Sequence, residues 1–165
     1  MSRLRIPWRD DPLPRDERVA LALAPGEKVI ASGRTPGGGW VAATRTGLHS
    51  ADRRLPWTEV VHARWVADDD VLLLEPAPGS GPMWRIALTE AGRLPETVHE
   101  RVMASIVLSR RVALPGGGVR LVARRAAERA DLQWQVVPDT GTDLDDPATS
   151  ARVDAALADL RAELG

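Results

Sequence analysis

At 165 residues and a net charge of −1, the chain fits one ordinary domain and can bury about 70% of the surface its unfolded form exposes, so it needs no staple. It has no cysteine, which excludes disulfides and thiolate metal sites, and residues 1–11 lack the apolar stretch of a signal peptide. Its longest apolar run near a helix, residues 102–108, is far short of the ~20 residues that span a bilayer, and an isoelectric point near 6.3 does not suit a nucleic-acid binder. A cytoplasmic protein without membrane insertion or a nucleic-acid partner is therefore expected.

Residues 1–14 carry Pro7, Pro12 and Pro14 and read as an extended arm, with Trp8 positioned to pin it to the body. Residues 15–24 are rich in helix formers, and Pro25-Gly26 stops them. Short strands follow at 28–33, at 40–44 after a TPGGG turn, and at 47–51. Over residues 60–67 the alternation puts Val61, Ala63 and Trp65 on one face and His62 and Arg64 on the other. Asp68-Asp69-Asp70 turns the chain into a strand at 71–74. Another strand at 83–88 faces Trp84, Ile86 and Leu88 inward.

The period then changes. Leu94, Val98, Val102 and Ile106 recur at three and four, predicting a helix over 94–108 that lays one stripe on the sheet; part of 105–114 also reads as strand. Residues 116–118 are a glycine turn leading into a returning strand at 119–125. Leu132, Trp134 and Val136 alternate with Gln133 and Gln135 in a last strand. Asp146-Pro147 starts a C-terminal helix over 145–164 whose stripe includes Leu157, Leu160 and Leu164. The whole reads as one α+β domain of about nine strands and two main helices.

Composition shapes the core. The six tryptophans are the only aromatic residues, so they supply all the aromatic core volume, and Lys28 is the only lysine among 22 basic residues. Charge is also uneven. Residues 110–129 hold six arginines against Glu128, and residues 139–165 hold seven acids against Arg152 and Arg161. These two segments are expected to face one another, or else to offer an acid-seeking surface.

Leu23-Ala24-Pro25-Gly26-Glu27-Lys28-Val29-Ile30, Gly39-Trp40-Val41-Ala42-Ala43-Thr44-Arg45 and Leu55-Pro56-Trp57-Thr58-Glu59-Val60 resemble bacterial pleckstrin-homology-like domains. The chain also looks like a group of uncharacterised actinobacterial proteins of this size. The resemblance covers residues 20–108 and implies a curved antiparallel sheet, or partly open barrel, plugged by the helix that starts at Leu94. A hairpin and strand at 109–138 and the C-terminal helix extend beyond it. Members of that group that bind phosphoinositides cluster Lys and Arg around the first strand-to-strand loop, whereas residues 34–39 here hold Arg34 alone, so headgroup recognition does not carry over to that loop.

No motif brings catalytic chemistry. Gly37-Gly38-Gly39 and Gly116-Gly117-Gly118 lack the strand-to-helix context of a phosphate loop and read as hairpin turns. Glu96-x-x-His99 has a metal-compatible spacing but no second copy, so a solvated helix face is expected and no metal. His49 and His62, with Asp52, Glu59, Asp68, Asp69 and Asp70, supply acid–base groups without any nucleophile motif. The best surface is an arginine hairpin, Arg111, Arg120, Arg124, Arg125 and Arg129, suited to carboxylate or phosphate. The sequence thus predicts a non-enzymatic interaction or scaffold module that needs no cofactor and binds a protein partner. A small-ligand or acidic-lipid binder using the arginine hairpin is the alternative. The C-terminal helix is expected to dock on its own sheet, with homodimer pairing as the other use of its stripe.

Overall fold

The computed structural model describes residues 13–165. Trp8 and all but the last two residues of the expected arm lie outside them. Among the described residues are three α-helices, two short 3-10 turns and ten strands, the strands forming three antiparallel sheets.

The first sheet is a meander of β1 (Val29–Arg34), β2 (Trp40–Thr44), β3 (Gly47–Ser50) and β4 (Arg53–Pro56). The TPGGG segment makes its first turn: Thr35 N–H donates to Gly39 O at 2.9 Å, and Gly38 takes a φ of +82°. At Gly47 the strands approach so closely that a Cβ would stand 2.6 Å from Leu55 O, leaving glycine as the residue that fits. The second sheet joins β5 (Val60–Val66), β6 (Val71–Pro76) and β7 (Trp84–Ala87) in that order. An isolated bridge ties β1 to the segment just after β7, where Arg34 N donates to Glu90 O at 2.9 Å and Thr89 N to Arg34 O at 2.8 Å. No barrel closes.

Between them lies a filled core. Leu48, Leu55, Leu72, Leu74, Leu94 and Val98 are buried together, each worth roughly 1.5–3 kcal/mol against exposure. Helix α2 (Leu94–Ala104) supplies Leu94, Val98 and Val102 from one stripe, as its periodicity predicts. It ends earlier than the expected 108, because the Ser105 hydroxyl donates to Val102 O at 2.7 Å and the chain bends directly into a strand. Ile106, which extended the helical period, is the first residue of that strand. Helix α1 (Arg15–Ala20) likewise stops short of 24, since Ala22 adopts a φ of +52°.

β8 (Ile106–Leu114), β9 (Gly117–Arg125) and β10 (Leu132–Pro138) make the third sheet, in the order β10-β9-β8. Pro115 and Gly116, with a φ of +80°, turn β8 into β9. Helix α3 (Pro147–Leu164) is capped by Asp146, whose carboxylate accepts from Thr149 N at 2.9 Å. It docks on its own sheet as expected, burying Val153 and Leu160 against Leu114, Val119, Leu121, Trp134 and Val136.

The expected total of about nine strands rises to ten because β4 is a strand in its own right. One facing is also corrected. Gln135, placed by alternation on the polar side of its strand, is only 7% exposed. One face of the third sheet is covered by α3, and on the other Arg124 and Gln135 are covered by residues around β5 and α2.

Candidate functional site

The five arginines of the hairpin do not form one surface. Arg111 and Arg120 sit opposite one another across β8 and β9, and Asp139 pairs with Arg111 and so relieves the like-charge contact. Arg129 pairs with Asp131 at 3.3 Å in the β9–β10 connection. Arg125 faces a different cleft. The uneven charge is therefore partly satisfied within the chain, since Arg110 also reaches Glu163 on α3 at 3.3 Å and Arg161 stacks over Trp134 at 5.9 Å.

Arg124 corrects the expectation of a surface residue, because it is only 2% exposed. Its Nε donates to Gln135 Oε1 at 2.9 Å, its Nη1 to Val102 O at 3.0 Å and Ser105 Oγ at 2.7 Å, and its Nη2 to Val61 O at 3.4 Å. Gln135 in turn donates to Thr58 O. All these partners are neutral. Burial lowers its pKa to about 10, which leaves it charged at neutral pH. The physical reason for its burial is geometric: β9 carries it to the C-terminal end of α2, where carbonyl groups need donors.

Beside it opens a cleft of about 210 Å³ between the β2–β3 turn, the end of α2 and the end of β9. Arg45, Arg101 and Arg125 line it, with Trp57 and Thr58 at its wall and no Asp or Glu. Arg101 Nε is shielded from solvent without an acceptor, the only such buried side-chain nitrogen or oxygen among the described residues. No protein-family model, curated protein or solved structure matches this chain. Arg45 and Arg101 did not stand out in the sequence, being one arginine in a strand-end Thr-Arg pair and one in a helix; only the fold brings them to Arg125.

A second polar cluster was also hidden. Glu27, in the turn before β1, accepts from Thr44 Oγ1 at 2.8 Å, Thr46 Oγ1 at 3.0 Å and Ala24 N at 3.0 Å, and meets His49 Nε2 at 3.4 Å. Burial disfavours the Glu27 charge, yet the Ala24 N–H, the two threonine hydroxyls and His49 prevail and lower its pKa to about 2. His49 is lowered from its usual 6.5, chiefly by burial, with Glu27 working in the opposite direction and Arg54 assisting. Both shifts have the same sign for stability. The unfolded chain binds protons more readily than the fold, so acid favours unfolding. Stability is expected to decline as pH falls below 6.5 through His49, then by roughly 1–3 kcal/mol more between 4.5 and about 2 through Glu27. Urea denaturation across that range measures it, and Glu27→Gln should flatten the lower part of the curve.

The other expected acid–base groups stay apart. His62 is exposed, and none of Asp52, Glu59, Asp68, Asp69 or Asp70 pairs with it or with His49 among the described residues. Glu96 and His99 lie exposed on α2. No group of three or more His, Asp or Glu among the described residues is placed to hold a metal.

Glu96 and His99 instead rim a groove of about 420 Å³ walled by Ala63, Trp65, Leu72 and Pro95. It runs between α2 and β5, and β5 is an edge strand paired only with β6. Among the described residues, no helix is long and apolar enough to cross a membrane.

Proposed function

We propose that the chain is a non-enzymatic, cytoplasmic interaction module on a pleckstrin-homology-like core, and that it takes a protein partner as an extended segment in the groove between β5 and α2. One observation carries this reading: an edge strand, paired with β6 alone among the described residues, runs along an apolar groove containing Trp65. An edge strand offers backbone donors and acceptors to an added strand, and the groove offers a seat for its apolar side chains. Leu48, Leu55, Leu72 and Leu74 pack together in the interior, which supports a surface site rather than an enclosed one. The order of seven strands followed by a helix supports the pleckstrin-homology-like assignment of residues 20–108.

Selection of extended peptides from a random display library, with Ala63→Arg as counter-target, tests it. Enriched peptides should carry an apolar anchor, shift amide resonances of β5 and of the first turns of α2, and bind the variant at least tenfold more weakly. Peptides that bind the folded variant equally well, or whose shifts lie elsewhere, would overturn the reading.

The second reading, an acidic small ligand or lipid headgroup on the arginine hairpin, retains Arg120 and Arg125. Neither has an ion pair among the described residues, whereas Arg111 and Arg129 are already matched.

A further inference from the structure

We infer that the cleft between the β2–β3 turn, the end of α2 and the end of β9 is a binding site for a phosphate monoester group. This site is separate from the β5 groove, and neither depends on the other.

Arg45, Arg101 and Arg125 all line the cleft and no carboxylate does, and Arg45 Nη2 donates across it to Ala127 O at 3.4 Å. Glu27 reaches the cleft only through Thr46, and it is already engaged by Thr44, Thr46 and the Ala24 N–H. Arg124 lies directly behind Ser105 as a fourth cation, and every one of its partners is neutral. Like charges held together in this way repel unless an anion joins them, and a dianion answers several cations at once.

The end of a helix ordinarily repels anions, because its last carbonyl groups carry partial negative charge. At this helix end Val102 O accepts from both Arg124 Nη1 and the Ser105 hydroxyl, so one of those carbonyl groups is already answered by a buried cation. The unmet N–H of Arg101 Nε is the second, independent sign. Buried donors are nearly always satisfied, and one left over beside an arginine-lined opening points to an acceptor that arrives with a ligand.

Size narrows the ligand. At about 210 Å³ the cleft is smaller than the ~300–1,000 Å³ that drug-sized ligands occupy. It takes a phosphate with a few further atoms, not a whole nucleotide. The guanidinium fork fits phosphate oxygens two at a time, which an ammonium does not.

The test is an NMR titration of the full chain with inorganic phosphate, against sodium chloride at matched ionic strength, following the arginine Nε–H signals. Saturable shifts of Arg101 and Arg125, with slowed exchange of the Arg101 Nε–H, are expected for phosphate alone. Arg101→Gln and Arg125→Gln should each weaken binding by about tenfold or more, while Arg129→Gln should not change it. Arg125 is exposed, so its variant retains the test if Arg101→Gln fails to fold. Shifts that chloride reproduces, or an Arg125→Gln protein that binds like the parent, would overturn the site. Vesicles identify the source. Retention on phosphatidylcholine vesicles carrying phosphatidic acid, but not on those carrying phosphatidylserine, assigns a lipid headgroup. Retention on neither, with phosphate binding intact, assigns a soluble monoester. Equal retention on both marks unspecific charge attraction and overturns the proposal.

Discussion

Arg124→Ala is expected to lower stability by about 3–5 kcal/mol, the range seen when one partner of a buried charged network is removed. Three losses combine. Gln135 Oε1 and Val61 O lose a charged donor, Val102 O keeps only its neutral ones, and a large side chain leaves a void at a site only 2% open to solvent. Arg124→Lys should recover part of this, since one ammonium group cannot reach acceptors on α2, β5 and β10 together. Urea denaturation gives the size of the loss, and hydrogen exchange should place it at the end of α2 and in β9 and β10. A loss under about 1 kcal/mol would show that these contacts are not a structural tie.

Trp84→Ala should cost a similar ~3–5 kcal/mol, for a different reason. Trp84 is 3% exposed on β7, opposite Leu74, and fills the main core with Leu72, Ile86 and Val98. Nothing nearby can collapse into the space of an indole without moving two sheets. The Arg53 guanidinium lies 4.1 Å from the ring centroid, but it is exposed, so Arg53→Ala should cost only about 0.5–1 kcal/mol. Denaturant midpoints of the two variants separate packing from the cation–ring contact. Equal losses would reverse that ranking.

The sequence made elements legible wherever period and burial agree. Residues 40–44 are β2 as expected, and Trp84, Ile86 and Leu88 are all buried on one side. Boundaries failed where a side chain, not a period, ends an element: Ser105 turning back onto Val102 O stops α2 while apolar residues continue. Facing failed where an exposed-looking strand is covered on both sides. Arg124 and Gln135 alternate like any polar residues of a half-buried strand, and only the placement of β5 and α2 over them changes their environment. The Glu27–His49 pair was illegible for a related reason. Glu27 read as part of an entry turn, and His49 reaches it through the β2–β3 register that sets Ala42 against His49. Spacing along the chain contains no trace of that contact. Arg45, Arg101 and Arg125 likewise come from three separate segments, so their cleft belongs to the fold alone.

The tie through Arg124 has a consequence for the order of synthesis. Everything through Ser105 leaves the ribosome before the guanidinium that binds Val102 O and Val61 O, and before the Gln135 amide that binds Thr58 O. A nascent chain that has collapsed around Leu72 and Leu94 therefore waits with Val61 O and Thr58 O lacking these donors and Val102 O holding only those of Ser105. Only when β9 and β10 emerge and pair does that flank close. A stop codon placed before Arg124 would accordingly leave an unfinished fragment, not a smaller finished protein, and such fragments are natural clients for the cell's proteases.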